Sequence, residues 1–277
     1  ADLDKKPSTP CTACNAGYYA AAGATVCTAC KAGYIDHDQN PATPCDGDQH
    51  GCPEGSYAPS GSVKCTSCPA GKADTDSKPG TKCKSCAAGT YAKGATTICE
   101  ACAEGTADLD SDSSTPCGKC KVGYFTAKGQ TSCTACKAGY IDHDKNPATP
   151  CDGDKSKCPT GSYAPEASVT CTSCAAGSAD TDSNAGTACK KCAAGTYAKG
   201  ATTACVACAA GTADLDSNPA TPCGACKVGH FAAKGATVCT VCKAGYIDHD
   251  KNPATPCDGA NSKCPTGSYA PEASVTC

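Results

Sequence analysis

The chain has 277 residues, 31 of them cysteine, while Val, Ile, Leu and Phe together number 18 and Met and Trp are absent. So few large apolar side chains cannot fill a shared interior, which excludes a single large globular fold, and so high a cysteine share belongs to disulfide-built scaffolds. The net charge is −3, every one of the 24 basic residues is a scattered lysine, and no run approaches the roughly 18 apolar residues of a membrane helix, so neither a nucleic-acid surface nor a transmembrane segment is expected.

Read in chain order, the opening ADLDKKPSTP (1–10) matches ADLDSDSSTP at 107–116 and ADLDSNPATP at 213–222, and is taken as the tail of a preceding module. From Cys11 the cysteines recur with a period of 106 residues. Superrepeat 1 (11–116) holds modules 11–44, 45–82 and 83–116, and superrepeat 2 (117–222) holds modules 117–150, 151–188 and 189–222. A partial third copy fills 223–277. Each module reads C-x2-C-x12-C-x2-C-x14, except that the middle one opens C-x6-C, at Cys45/Cys52, Cys151/Cys158 and Cys257/Cys264. The printed residues are expected to be an excerpt from a longer precursor, with any signal peptide or anchor outside them.

The two loop types differ chemically. Every x12 loop carries Gly third and an aromatic fifth, from Gly17 and Tyr19 through Gly123 and Phe125 to Gly267 and Tyr269. The glycine points to a positive-φ turn or a close backbone approach, and the ring offers the largest surface available to cover a disulfide. Each x14 loop continues into D-x-D-x-[NDK], and all 22 Asp lie in these loops, in the opening tail or in the C-x6-C inserts. No window holds a 3.6-residue apolar period, and Gly, Pro, Asn and Asp punctuate every few residues. The expected architecture is a small disulfide-rich repeat array. It would be an elongated rod of irregular loops and short β-strands, with almost no helix, each unit touching its neighbours.

Cysteine chemistry has two main readings. C-x2-C-x12-C-x2-C resembles a four-thiolate zinc site in its spacing. Against zinc stand the uninterrupted tiling of the chain by cysteine, the C-x6-C variant and the absence of histidine at ligand positions. A redox C-x-x-C normally occurs once, near a βαβ unit. Structural disulfides, and with them an oxidising extracellular setting, are therefore expected. Two pairings remain open. A loop-closing scheme joins Cys14 to Cys27, Cys30 to Cys45, Cys52 to Cys65, Cys68 to Cys83, Cys86 to Cys99 and Cys102 to Cys117, leaving Cys11 over. A crossed scheme joins Cys11 to Cys27 and Cys14 to Cys30, leaving Cys264 over. The first is favoured; closing a loop of roughly 15 residues contributes about 3 kcal/mol in the chain-entropy model.

D-x-D-x-[ND] is how calcium loops begin, so calcium is the one candidate cofactor. The candidate oxygens are Asp36, Asp38 and Asn40; Asp142, Asp144 and Asn146; Asp214, Asp216 and Asn218; and Asp248, Asp250 and Asn252. The bland alternative is a solvated Asx turn, favoured by Pro41 at the turn position and by Lys6 and Lys78 at the third ligand position. No catalytic residues emerge. The histidines (His37, His50, His143, His230 and His249) accompany no nucleophile context, so the chain is expected to be no enzyme. No N-x-[ST] sequon occurs, while Thr-Pro and Ser/Thr clusters leave room for O-glycans.

The stretch CTACNAGYYAAAGATVCTACKAGYIDHDQNPATPC (11–45) resembles the ciliate immobilisation antigens, variable surface coat proteins, and the likeness runs along essentially the whole chain. That resemblance implies a cell-surface location and a lipid (GPI) anchor outside these residues. Single modules are also similar to the cysteine-rich repeats of tumour-necrosis-factor and ephrin receptors, a likeness that adds weight to loop closure. The functional expectation is a non-enzymatic surface antigen or coat protein that self-associates laterally or into fibrils. The alternative is a receptor- or adhesin-like binding ectodomain, rigidified by calcium.

Overall fold

With almost no long apolar side chains, the interior is assembled from cystine sulfur, alanine and a few polar groups. The computed structural model describes residues 1–48 and 51–277; His50, one of the histidines considered above, lies outside them. The protein is a disulfide-rich repeat array. Among the described residues it forms fifteen disulfides, eleven two-stranded antiparallel sheets and a single turn of 3-10 helix at Ala260–Ser262.

The strands are two residues long because each pair of cysteines separated by two residues leaves room for no more. Seven sheets belong to x12 loops, as where Tyr57 pairs with Thr66 and Ser56 with Ser67. Four belong to x14 loops, as where Thr212 faces Ala225. Where a C-x6-C insert follows an x14 loop, the hairpin shrinks to a single bridge: Tyr34 with Gly51, Tyr140 with Lys157 and Tyr246 with Lys263. An isolated hairpin this short has little stability in water. Here the cystine supplies the closure.

Burial follows small residues. The cysteine opening every x14 loop (Cys30, Cys68, Cys102, Cys136, Cys174, Cys208 and Cys242) is buried, as is the alanine after the x12 aromatic at Ala58, Ala92, Ala164, Ala198, Ala232 and Ala270. The aromatics themselves are half-buried, except for the exposed Tyr269. The long aliphatics mostly face solvent; Val238 is 65% exposed, Ile98 60% and Leu215 56%.

Two compact units divide the chain. One comprises Ala1–Lys121, Phe125–Thr134 and Asn146–Thr149; the other comprises Val122–Tyr124, Ala135–Lys145 and Pro150–Cys277. The division runs inside module 117–150 and so does not coincide with a superrepeat boundary.

Candidate functional site

The feature that recurs is the junction between one module and the next. The disulfides close successive loops: Cys14–Cys27, Cys30–Cys45, Cys52–Cys65, Cys68–Cys83, Cys86–Cys99 and Cys102–Cys117, and so on to Cys264–Cys277, with Cys11 free and exposed. Backbone bonds then bind each loop to its neighbours. Cys30 N–H donates to Gly17 O within module 11–44, and Gly61 N–H of the next module donates to Cys30 O. Ala58 N–H donates to Pro79 O while Ala58 O accepts Gly33 N–H, so one small buried residue ties two successive x14 loops.

In six of the x14 loops the first Asp of D-x-D completes the junction. Asp36 is 3% exposed; its Oδ2 accepts the Gly17 N–H at 2.9 Å, and its own N–H donates to Ser62 O in the following module. The same bond joins Gly89 N–H to Asp108 in the first unit. In the second unit it joins Gly123 to Asp142 at 3.0 Å, Gly195 to Asp214 and Gly229 to Asp248. A buried carboxylate is tolerated because charge-assisted bonds from backbone N–H groups replace water. Asp142→Ala is expected to cost about 1–3 kcal/mol, since the Gly123 amide would be left buried without an acceptor, whereas Asp142→Asn keeps an oxygen there and recovers most of that loss. Guanidinium unfolding with disulfides intact measures both.

The second Asp serves its own loop. Asp38 Oδ1 accepts the Asn40 N–H, both its oxygens accept the Thr43 hydroxyl, and Asn40 Oδ1 accepts the Ala42 N–H. Asp216 with Asn218 and Thr221, and Asp250 with Asn252 and Thr255, repeat the arrangement. In the remaining candidate set, Asn146 Oδ1 accepts the Ala148 N–H, and Asp144 also has its partners. The third position contributes its backbone N–H whatever its side chain. Lys6 and Lys78 therefore substitute freely, donating to Asp4 and Asp76. The hydroxyls of the Thr-Pro threonines Thr9, Thr43, Thr115, Thr221 and Thr255 are likewise committed inside the turn.

Calcium needs six to eight oxygens converging on one point. The D-x-D-x-N oxygens are instead spent on separate protein donors, the first of them in another loop, so the residues do not fit a calcium site. Among the described residues no group of three or more His, Cys, Asp or Glu is placed to hold a metal ion. His143 and His249 meet the hydroxyls of Ser156 and Ser262 at 3.1 Å, but each serine is 1% exposed and out of reach of any substrate.

These turns carry a pH dependence. The Asn40 N–H and the Thr43 hydroxyl hold the Asp38 carboxyl below its ordinary value of 3.8; the Thr81 hydroxyl does so for Asp76 and the Thr221 hydroxyl for Asp216. A depressed folded-state value means the turns contribute fully above the unfolded value and lose that contribution as pH falls through the folded one. Exchange of the Asn40, Lys78 and Asn218 amides, corrected for intrinsic rate, is expected to accelerate below about pH 4, while the Cys30 amide, whose acceptor is a carbonyl, keeps its protection.

Compared with known protein families, the chain matches no family model. Comparison with curated proteins likewise finds no significant relative.

Proposed function

We propose that this chain is a non-enzymatic structural component of an extracellular coat or fibre, held outside the cell in an oxidising medium and assembled through contacts with further copies of itself. Extensive disulfide bonding favours an extracellular or secreted protein, and the repeat array suits a structural or binding role there. The observation that carries the coat reading is the sameness of the junctions. Gly123 to Asp142, Gly161 to Asp180, Gly195 to Asp214 and Gly229 to Asp248 are one bond made four times in one unit, and the stretch 243–256 repeats 137–150 letter for letter. A dedicated ligand site requires one module to depart from the rest, whereas a lattice gains from identical contacts at a fixed period.

The motif likeness to ciliate surface antigens supports the same reading, including a lipid anchor elsewhere in the protein. Negative-stain images of native surface material test it. A continuous layer or fibril with a regular repeat is expected. Dispersed monomers that each engage a soluble partner would point instead to a binding ectodomain.

A further inference from the structure

Of the 22 aspartates, glycine follows only Asp46, Asp152 and Asp258, each the first residue of a C-x6-C insert, and no Asn-Gly pair occurs. The pairing matters chemically. A backbone nitrogen can attack the carboxyl group of the aspartate before it, provided the chain can turn the two together. A side chain on the attacking residue hinders that approach; glycine has none and reaches a wider range of φ.

In the x14 loops the structure opposes the reaction. The first Asp of D-x-D is buried with its carboxylate on a glycine amide, as at Asp142 and Asp248. The second is spent on its own turn, as at Asp216 and Asp250. Neither restraint operates in the two inserts of the second unit. Asp152 and Gly153 are both exposed, as are Asp258 and Gly259. Among the described residues, no hydrogen bond engages either carboxyl or the N–H of either glycine. The bond that holds each glycine is at its carbonyl oxygen, which accepts the Ser156 or Ser262 N–H. Burial and the further anchor, Ile141 N–H to Ser156 O, begin only at the serine, beyond the reacting atoms. A Cβ on Gly153 or Gly259 would meet nothing within 4 Å.

We propose that Asp152 and Asp258 are sites of spontaneous modification, each cyclising with the following glycine amide to a succinimide that reopens mainly as isoaspartate. The Gly153 nitrogen bonds to Asp152 Cγ, and the hydroxyl of the carboxylic acid leaves with the amide proton as one water. Water then adds to one of the two ring carbonyls. Addition at Cγ restores aspartate. Addition at the main-chain carbonyl carbon breaks its bond to the Gly153 nitrogen, so the chain thereafter runs through Cβ and Cγ. No electrons are transferred, and mass and charge return to their starting values. Cys136–Cys151 and Cys158–Cys171 close on either side, so the added methylene lengthens the insert without opening a loop. The reaction does not depend on the coat reading; any long-lived protein with this fold accumulates the product.

Incubation of the native, disulfide-intact chain for several weeks at neutral pH in water enriched in oxygen-18 tests the proposal. Reduction, digestion and electron-transfer fragmentation then locate isoaspartate and the heavy oxygen. Asp154, exposed in the same turn but followed by Lys155, is the internal control. Asp152 is expected to convert at least about tenfold faster than Asp154, with label incorporated at Asp152. Gly153→Ala, for which the structure has open space, should slow Asp152 by a similar factor and leave Asp258 unchanged. Equal rates at Asp152 and Asp154, an undiminished rate in Gly153→Ala, or conversion first at an aspartate outside the inserts would each overturn the proposal. So would conversion seen only after the disulfides are reduced, since the folded insert would then be what protects the site.

Discussion

Reduction of the fifteen disulfides is expected to abolish the folded state outright, leaving circular dichroism and amide dispersion those of an unfolded chain in the absence of denaturant. Few proteins of this length should respond so completely, and the reason lies in what is buried. Cystine sulfur and alanine methyl groups occupy the interior, while all three leucines, Leu3, Leu109 and Leu215, are at least half exposed. Burial of alanine returns little transfer free energy against the entropy of ordering a mostly irregular chain. Closing each loop restricts the unfolded ensemble instead. Removal of one bridge by Cys208→Ser with Cys223→Ser should therefore cost about 3 kcal/mol. Since each loop is closed by its own cystine, the loss should show in the exchange rates of that loop and its neighbours and leave distant modules protected.

The second large effect concerns two glycines of the x12 loop that differ sharply in what surrounds them. Gly195 has φ +75°, and a Cβ there would fall on the carbonyl of Gly235 in the next x12 loop. Gly235 has φ +76° with open space where its Cβ would be. Gly195→Ala adds a collision with backbone to the cost of a positive φ, and it strikes the junction that Asp214 caps through the Gly195 N–H. It should destabilise by about 3 kcal/mol or more. Gly235→Ala should cost about 1 kcal/mol or less. The chain has already made the second substitution: alanine occupies the equivalent ninth position at Ala95, Ala167, Ala201 and Ala273, all at positive φ. Glycine holds the third position in every x12 loop. Guanidinium midpoints of the two variants with disulfides intact give the comparison, and similar losses would contradict it.

The lattice of cysteines was readable without coordinates. A disulfide-rich repeat array with almost no helix follows from spacing and composition alone, and the structure has both: fifteen cystines and, among the described residues, a single 3-10 turn at Ala260–Ser262. Other features depend on contacts that spacing does not encode. Two pairings satisfied the cysteine count; in the structure the Cys30 amide reaches Gly17 O and the loops close one after another. D-x-D-x-N is the same string whether its oxygens gather round an ion or separate. They separate because the Asp36 carboxylate meets an amide 19 residues earlier in the chain, a partner no local window contains. A lysine at the third position, as in Lys6 and Lys78, was the one local sign that only the backbone of that residue matters.

The fifth-position aromatics illustrate a different limit. Their size marked them as the natural cover for sulfur, yet Tyr57 and Tyr163 are only half-buried and the next residue, Ala58 or Ala164, is fully enclosed. Successive modules approach until their backbones hydrogen-bond, and a small side chain fits between them, alanine at Ala58 and Ala164 and threonine at Thr126. Hydrophobicity ranks the tyrosine above the alanine; the spacing of hydrogen-bonded backbones reverses that order.

The most direct test of the central claim is a thiol titration of the native protein in strong denaturant without reductant. At most one reactive thiol within residues 1–277 is expected, that of Cys11, with the thirty cysteines of the fifteen bridges appearing only after reduction. Uptake of reagent by most of the 31 cysteines before reduction would show that sulfur bridges do not hold the array together.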